Sequence, residues 1–333
     1  MTSPANSCSR QFSTMPVVIF GLVLLTTFPL FAQSGATYYV STSGSDSNAG
    51  TFSSPWRTIQ HAANSVSPGA TVYVHGGVYN ESVTFPASGT ASNYITFESY
   101  SGQTAVIDGT GLTCCTSNPP SSGNDTQGLI NIVSQSYVTV SGFEIRNFTT
   151  SKAAMTPAGI WVTGSGTGVQ LLNNLVHNIT TTSEKNGNAF GVAVYGTQTT
   201  PITAITISGN QVYNLKTGES ESMNVDGNVT HFSITNNIVH DNDNIGIDAI
   251  GFEGVGPTGY DQAMYGEISG NTVYNISAIK NPGEGNSYDA DGLYCDGCAY
   301  TTFELNTVYA CDLAMEAASE TQRARRQLRH HTQ

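Results

Sequence analysis

A chain of 333 residues carries 24 Asp and Glu against 11 Lys and Arg, a formal net charge of −13, with 38% hydrophobic and only 11% charged residues. Four of its seven arginines fall in the last eleven residues, so between positions 34 and 322 only six basic residues face all 24 acids. Such a body lacks the clustered Lys and Arg that phosphate neutralisation needs, which excludes nucleic acid as a partner. The 35 glycines and many Asn, Ser and Thr exclude a coiled coil, and the Val, Ile and Tyr content excludes disorder.

In chain order, Val17 to Phe31 is an apolar run preceded by a polar stretch whose only charge is Arg10 and followed by the small residues Ala32 and Ser34. The run is short for a bilayer and is interrupted by Thr26, Thr27 and Pro29. Residues 1–34 therefore read as a secretory signal peptide, and the mature protein is expected outside the cell, free of the membrane and monomeric. Loss of Cys8 leaves an odd number of cysteines, which predicts a free thiol. Adjacent Cys114 and Cys115 are expected to need a distant mate, and Cys295-x-x-Cys298 is a weak zinc signal without a second pair. Pro55 through Val66 predicts an amphipathic helix, with Ser54 as N-cap, Pro55 at N1 and Trp56, Ile59, Ala63 and Val66 on one face. It would serve as the lid of a repeat.

That repeat is a short phrase. Leu172-Asn173-Asn174-Leu175-Val176-His177-Asn178 returns as Ser208-Gly209-Asn210-Gln211-Val212-Tyr213-Asn214, and again around Asn237, Asn271 and Asn306. The shared asparagines are 36, 27, 34 and 35 residues apart, and Ser141 to Asn147 is a degenerate earlier copy. Each phrase is followed by a second strand of the form small-apolar-x-apolar-x-small, and no convincing helix pattern intervenes. A variable period with Asn at a fixed turn predicts an all-β fold, a parallel β-solenoid over residues 35–322. Asn suits stacked turns because it tolerates the left-handed backbone and its amide can bond its counterparts above and below. Residues 323–333 form a basic tail unlike anything before it, read as a truncated or frame-shifted end, and no C-terminal cap is visible.

Stacking the second strands in register turns sequence into a surface. Their second and fourth positions, from Ile160/Val162 to Met315/Ala317, are apolar and should face the core, which makes Cys295 a buried thiol. The third positions are then Trp161, Ala193, Asn224, Asp248, Tyr294 and Glu316, and the fifth positions Thr163, Tyr195, Asp226, Ile250, Asp296 and Ala318. Strands stack about 4.8 Å apart, so Asp226, Asp248, Asp296 and Glu316 should zigzag across four coils on one outward strip, with backbones roughly 8–10 Å apart. Trp161 and Tyr195 extend the strip, and with Asn224, Tyr294, Asp226 and Asp296 they are the candidate sugar-binding residues, since aromatic faces stack on pyranose rings. Glu253 is placed to lean over the Asp248 strand. Asp289 and Asp291, just before the next strand, are plausible calcium ligands together with Asp248. His177 and His240 share a column with Tyr213, Tyr274 and Tyr309 and read as stacked structural residues.

The opening Tyr38-Tyr39-Val40-Ser41, Gly44-Ser45-Asp46-Ser47-Asn48, Pro55-Trp56-Arg57-Thr58-Ile59-Gln60, Pro68-Gly69, Val72-Tyr73-Val74 and Gly77-Val78-Tyr79 resembles that of secreted bacterial right-handed parallel β-helix proteins. These include pectate lyases of polysaccharide lyase family nine. The resemblance implies a right-handed helix and calcium-assisted β-elimination on an acidic polysaccharide, with an aspartate cluster and a lysine base. Asp248 and Asp291 would supply the cluster and Lys280 the base, although the family's consecutive Asp-Asp motif has no clear counterpart here.

Three functions compete, with calcium-assisted lyase-type cleavage of a polysaccharide placed first. A calcium-assisted lyase needs a base and a cation to neutralise an enolate-like charge. A glycoside hydrolase would use paired acids such as Asp248 with Asp296 or Glu316 and needs no metal. A non-catalytic glycan-binding solenoid would use the strip without either. In each case the partner is a polysaccharide or glycan.

Overall fold

The computed structural model describes residues 35–115 and 125–319, together with Met1. The expected signal peptide beyond Met1 and the basic tail lie outside the described residues. Three long parallel sheets run the length of the domain. The first has nine strands, from Thr37–Val40 to Thr302–Glu304; the second has eight, from Gly77–Tyr79 to Thr307–Tyr309; the third also has eight, from Val83–Phe85 to Leu313–Ala318. A short fourth sheet of three strands holds Gly166–Thr167, Ile202–Thr203 and Val229–Thr230. The chain visits the three long sheets in turn, and each strand pairs with the equivalent strand one coil away, which is a β-solenoid. Each coil holds one strand more than the sequence pattern reveals. The extra strand, such as Thr206–Ser208, is only three residues long and precedes the repeated Asn.

The asparagines divide two tasks that the sequence reading gave to one residue. Asn174, Asn210, Asn237, Asn271 and Asn306 form a ladder in which each Nδ2 donates to the next Oδ1 at 2.9–3.0 Å. The same Oδ1 atoms accept the backbone N–H of the preceding ladder residue at 2.9 Å. These residues do not adopt the left-handed backbone. That conformation belongs to the residue before each of them: Asn173, Gly209, Asn236, Gly270 and Leu305, with φ between 54° and 69°. A Cβ costs little at φ > 0 for Asn and nothing for Gly, which is why the pair reads Asn-Asn or Gly-Asn in four of the five turns.

The third sheet has the expected register: Trp161, Ala193, Asn224, Asp248, Tyr294 and Glu316 are aligned partners on successive strands. Ile160, Val162, Val192, Val194, Met223, Val225, Ile247, Ala249 and Leu293 are buried in the core. Met315 holds the same register in the last described strand but is 47% exposed, because no further described coil packs against it. On the second sheet His177, Tyr213, His240, Tyr274 and Tyr309 stack with ring centroids 4.7–5.0 Å apart, so these histidines are structural, as expected.

The N-terminal helix is shorter than expected, Ile59–Ser65, with Thr58 rather than Ser54 as its N-cap. The Asp46 carboxylate accepts the backbone N–H of Arg57 and Thr58, and Glu81 accepts those of Ile59 and Gln60. These bonds satisfy the first amides from outside, so the chain stays extended through Thr58 and the helix starts there. Trp56, Ile59, Ala63 and Val66 are nevertheless all buried against the core.

Cysteine pairing corrects two expectations. Cys114 and Cys115 bond to each other rather than to distant mates, both buried. Cys295 is not a thiol: it pairs with Cys298 across a turn where Gly297 takes φ 73°, which brings the Cα atoms to 5.2 Å. Cys311 is the free cysteine among the described residues.

Candidate active-site cavity

Over the outer face of the third sheet lies a cavity of about 950 Å³. Its floor is the strand surface, and its walls are the loops that enter and leave each strand. Asp226, Asp248, Asp296 and Glu316 rise from the floor, as the register requires. They do not form the open strip that the sequence suggests. Asp226, Asp248 and Asp296 are only 2–6% exposed, because loops from neighbouring coils close over them. Tyr294 is buried in the same way, at 7%.

The walls supply further acids. Glu253 leans in from the loop after the Asp248 strand, as anticipated; Asp261 holds that loop by accepting the backbone N–H of Gly254 and Gly256 at 2.7 and 2.6 Å. Glu219 and Glu221 come from the segment before Met223–Gly227, and Glu284, Asp289 and Asp291 from the segment before Leu293. Ten carboxylates thus line one cavity, and among the described residues no Lys, Arg or His does. At one end Trp161, Phe190 and Tyr195 form an aromatic wall, with Trp161 and Tyr195 ring centroids 4.7 Å apart.

Glu221 was not picked out by the sequence reading, and it is the acid most closely tied to its neighbours. The signal was present: Glu219-Ser220-Glu221 precedes one third-sheet strand as Asp289-Ala290-Asp291 precedes another. Glu221 and Asp291 each stand two residues before aligned core residues, Met223 and Leu293, with the Ile247 strand between them. Their backbones are therefore two strand spacings apart, about 10 Å.

Asn224 has a different part from the one expected. It is fully buried, does not line the cavity, and its Nδ2 donates to Glu221 Oε2 at 2.7 Å, so it holds Glu221 in place rather than meeting a ligand. Lys280 is also placed outside the cavity. It ends a 3₁₀ turn, Ala278–Lys280, is exposed, and is absent from the cavity lining, because Asn281 turns the chain away by donating to the Gly218 and Asp243 carbonyls.

Burial without counter-charge disfavours ionisation of four of these acids, Glu221, Asp226, Asp248 and Asp291. Burial pushes the Glu221 carboxyl up to about 7 against the opposing hydrogen bond from Asn224, and the charges of Asp296 and Glu284 add to the rise. Burial likewise raises Asp248 well above the usual carboxylate range, helped by Glu221 and Asp296, and the Asp296 backbone N–H donates to Asp248 Oδ1 at 3.4 Å. Asp226 is raised well above that range by burial and then by Glu221. Asp291 rises to about 7 through burial and the charges of Glu316 and Asp289. Glu221, Asp248 and Asp296 thus form a trio in which the charge of Asp296 bears on both Glu221 and Asp248.

These shifts fix the sign of a pH effect. The folded protein holds protons on Glu221 and Asp291 that the unfolded chain has released, so this contribution is full below about pH 4 and is lost as pH rises through about 7. Asp108 works in the other direction: burial opposes it, but bonds from Thr110, Arg146 and Asn147 hold it at about 2, so its contribution disappears only as pH falls below about 4. The thermal midpoint is expected to peak near pH 4–5 and to fall by roughly 5 °C towards pH 8. A midpoint that climbs steadily to pH 8 in a calorimetric scan would contradict the buried cluster.

Calcium takes six to eight oxygens at about 2.3–2.6 Å. Asp248, Asp289 and Asp291 all line the cavity, yet among the described residues no three or more Asp, Glu, His or Cys side chains converge to hold a metal ion. As arranged, this donor set does not fit the calcium site that the sequence suggested.

Residues 38–190 match a family model described as "Pel9A-like, right handed beta helix region". The fold is a right-handed parallel β-helix, and this region of it is similar to that family. This β-helix is 37% identical over 287 residues to the Bacillus subtilis protein named "Uncharacterized protein YwoF", covering 86% of the present chain and 59% of that protein. It is 38% identical over 89 residues to "Pectate lyase PEL9" of Emericella nidulans, covering 26% of this chain and 21% of that one. The chain therefore spans less than two thirds of the length of either curated relative. Among solved structures, pectate lyase Pel9A aligns at 14% identity and a TM-score of 0.42, covering 83% of this β-helix and 79% of that chain. The lacto-N-biosidase from Eubacterium ramulus aligns at 14% identity and a TM-score of 0.42, covering 83% and 68%. Among the described residues, no helix is long and apolar enough to cross a membrane.

Proposed function

We propose that this protein is an exported glycoside hydrolase that cleaves a glycan free of uronate groups, using paired carboxylates in the covered cavity. The observation that carries this reading is that ten carboxylates line one cavity and, among the described residues, no Lys, Arg or His joins them. Hydrolysis of a glycosidic bond needs an acid to protonate the departing oxygen and a second carboxylate on the other side of the anomeric carbon. In the trio Glu221 is the proton donor, since its raised pKa keeps it protonated towards neutral pH, and Asp296 is the opposing carboxylate. Asp248, on the strand between theirs, is held towards its protonated form by burial and by the charges of Glu221 and Asp296. The aromatic wall of Trp161, Phe190 and Tyr195 gives a pyranose ring a face to stack on.

Lyase-type cleavage is the second reading, favoured by the Pel9A-like match and the identity to "Pectate lyase PEL9". It needs a base and a positive group beside the substrate carboxylate, whereas Lys280 lies outside the cavity and ten acids would repel a polyuronate.

Digestion of a glycan panel, with and without EDTA, separates the two. Hydrolysis releases reducing ends with no gain in ultraviolet absorbance and is insensitive to chelation. Unsaturated uronate products, or activity lost to EDTA, would establish the lyase instead.

A further inference from the structure

We infer that the cavity recognises a glycan bearing protonated amino groups, a polymer or oligomer of 2-amino-2-deoxy sugars, rather than one that is neutral or anionic. This deepens the hydrolase reading and rests on the same cavity.

The first support is the charge of the walls. Ten of the 24 acids in the whole chain meet here, with no basic residue among the described residues that line the cavity. Carboxylates facing one another in a partly dry space repel strongly, and a cation placed between them removes that repulsion, which a hydroxyl does not.

The second support is independent of charge. Asp226 Oδ1, Asp291 Oδ1 and Thr156 Oγ1 are buried polar atoms with no hydrogen-bond partner, on residues that are only 1–3% exposed and that line the cavity. Buried acceptors are almost always satisfied, and leaving one bare costs about 1–3 kcal/mol. An ammonium group brings three donors and a positive charge, so one placed at any of these oxygens satisfies it with short, charge-assisted bonds. Asp226 lies three residues after Met223 and Asp291 two before the aligned Leu293, two strands away, so their backbones are roughly 19 Å apart, which suits separate amino groups of an oligomer better than a single small cation.

The third support is the aromatic wall. Trp161 and Tyr195 lie at the end of the cavity nearest Asp226, whose strand pairs directly with that of Tyr195. A sugar stacked there brings its substituents to the acids, and an attached ammonium gains a further cation–π contribution.

The test is calorimetric binding of glucosamine oligomers, their N-acetylated counterparts, glucose oligomers and oligogalacturonate of equal length. It is run at about pH 6, below the ~7.7 of an α-amino-type amine. The glucosamine oligomer should bind at least tenfold more tightly than either neutral ligand, with an affinity that falls steeply as salt rises, and the galacturonate should not bind. Asp226→Asn should lower the glucosamine affinity about tenfold while changing the N-acetylated one less than twofold; the salt dependence of the unmodified chain keeps the test valid should that variant not fold. Equal or tighter binding of a neutral oligomer, or affinity indifferent to salt, would overturn the inference. Such a result together with cleavage of the neutral oligomer leaves the hydrolase reading intact. Preferential binding of the glucosamine oligomer without any cleavage removes the hydrolase reading and leaves the recognition.

Discussion

Glu221→Gln should lower glycan turnover by about 10²–10⁴-fold, the range in which a positioned general acid contributes. Gln keeps the shape of the side chain and can still meet Asn224, so the variant should fold and bind ligand with little change. The loss should therefore appear in kcat and not in KM. A structural role and a catalytic one also differ in their pH profiles. Proton donation from a group near 7 predicts activity that declines above about pH 7 in the natural chain; that limb should vanish from the residual activity of the variant. Asp296→Asn should produce a comparable loss in turnover, because the opposing carboxylate is as necessary as the acid. Asp248→Asn should act differently. Burial already keeps Asp248 towards its neutral form, so the neutral isostere should leave the alkaline limb set by Glu221 in place while much of the activity survives. Turnover by Glu221→Gln within threefold of the natural chain would remove Glu221 from the mechanism.

Asn210→Ala should destabilise the β-helix by about 3–6 kcal/mol, well beyond an ordinary substitution. The Asn210 side chain accepts the Asn174 backbone N–H at 2.9 Å and the Asn174 Nδ2 at 3.0 Å, and it donates to the Leu171 carbonyl at 2.9 Å and to Asn237 Oδ1 at 3.0 Å. Truncation to a methyl strands two donors and a carbonyl where water cannot reach, since Asn210 and Asn174 are each only 1% exposed. Each stranded group costs about 1–3 kcal/mol. Asn214, on the far side of the same strand, is the internal control. It is exposed and takes a left-handed φ of 54°, so Asn214→Ala loses only the conformational tolerance of Asn, about 1 kcal/mol. Urea unfolding of the two variants side by side should show the difference as a shift in midpoint, and equal losses would refute the ladder as the main tie between coils.

The register of the third sheet was readable because it follows from alternation along a strand and a fixed step between strands. Asp226, Asp248, Asp296 and Glu316 could therefore be aligned before any coordinate was known. Glu221 escaped because it precedes its strand and breaks that alternation. Lys280 misled because nearness in sequence to Asp289 says nothing about which way the 3₁₀ turn points. The cysteines misled for a related reason: the turn at Gly297, not the C-x-x-C spacing alone, brings Cys295 and Cys298 together.

The sequence by itself determined the solenoid, its N-terminal helix in outline, the inward and outward faces and the stacking of the histidines. All of these rest on short-range rules that repeat from coil to coil: residue alternation, turn chemistry and amide ladders. The tertiary structure alone decided that the acidic strip is a covered cavity. Closure depends on loops of unequal length, the Glu219–Glu221, 251–262 and 281–291 segments, folding over one another from different coils. It also decided which acids keep their protons, because desolvation and like-charge repulsion depend on every neighbour within several ångströms and on none of the spacing in the chain.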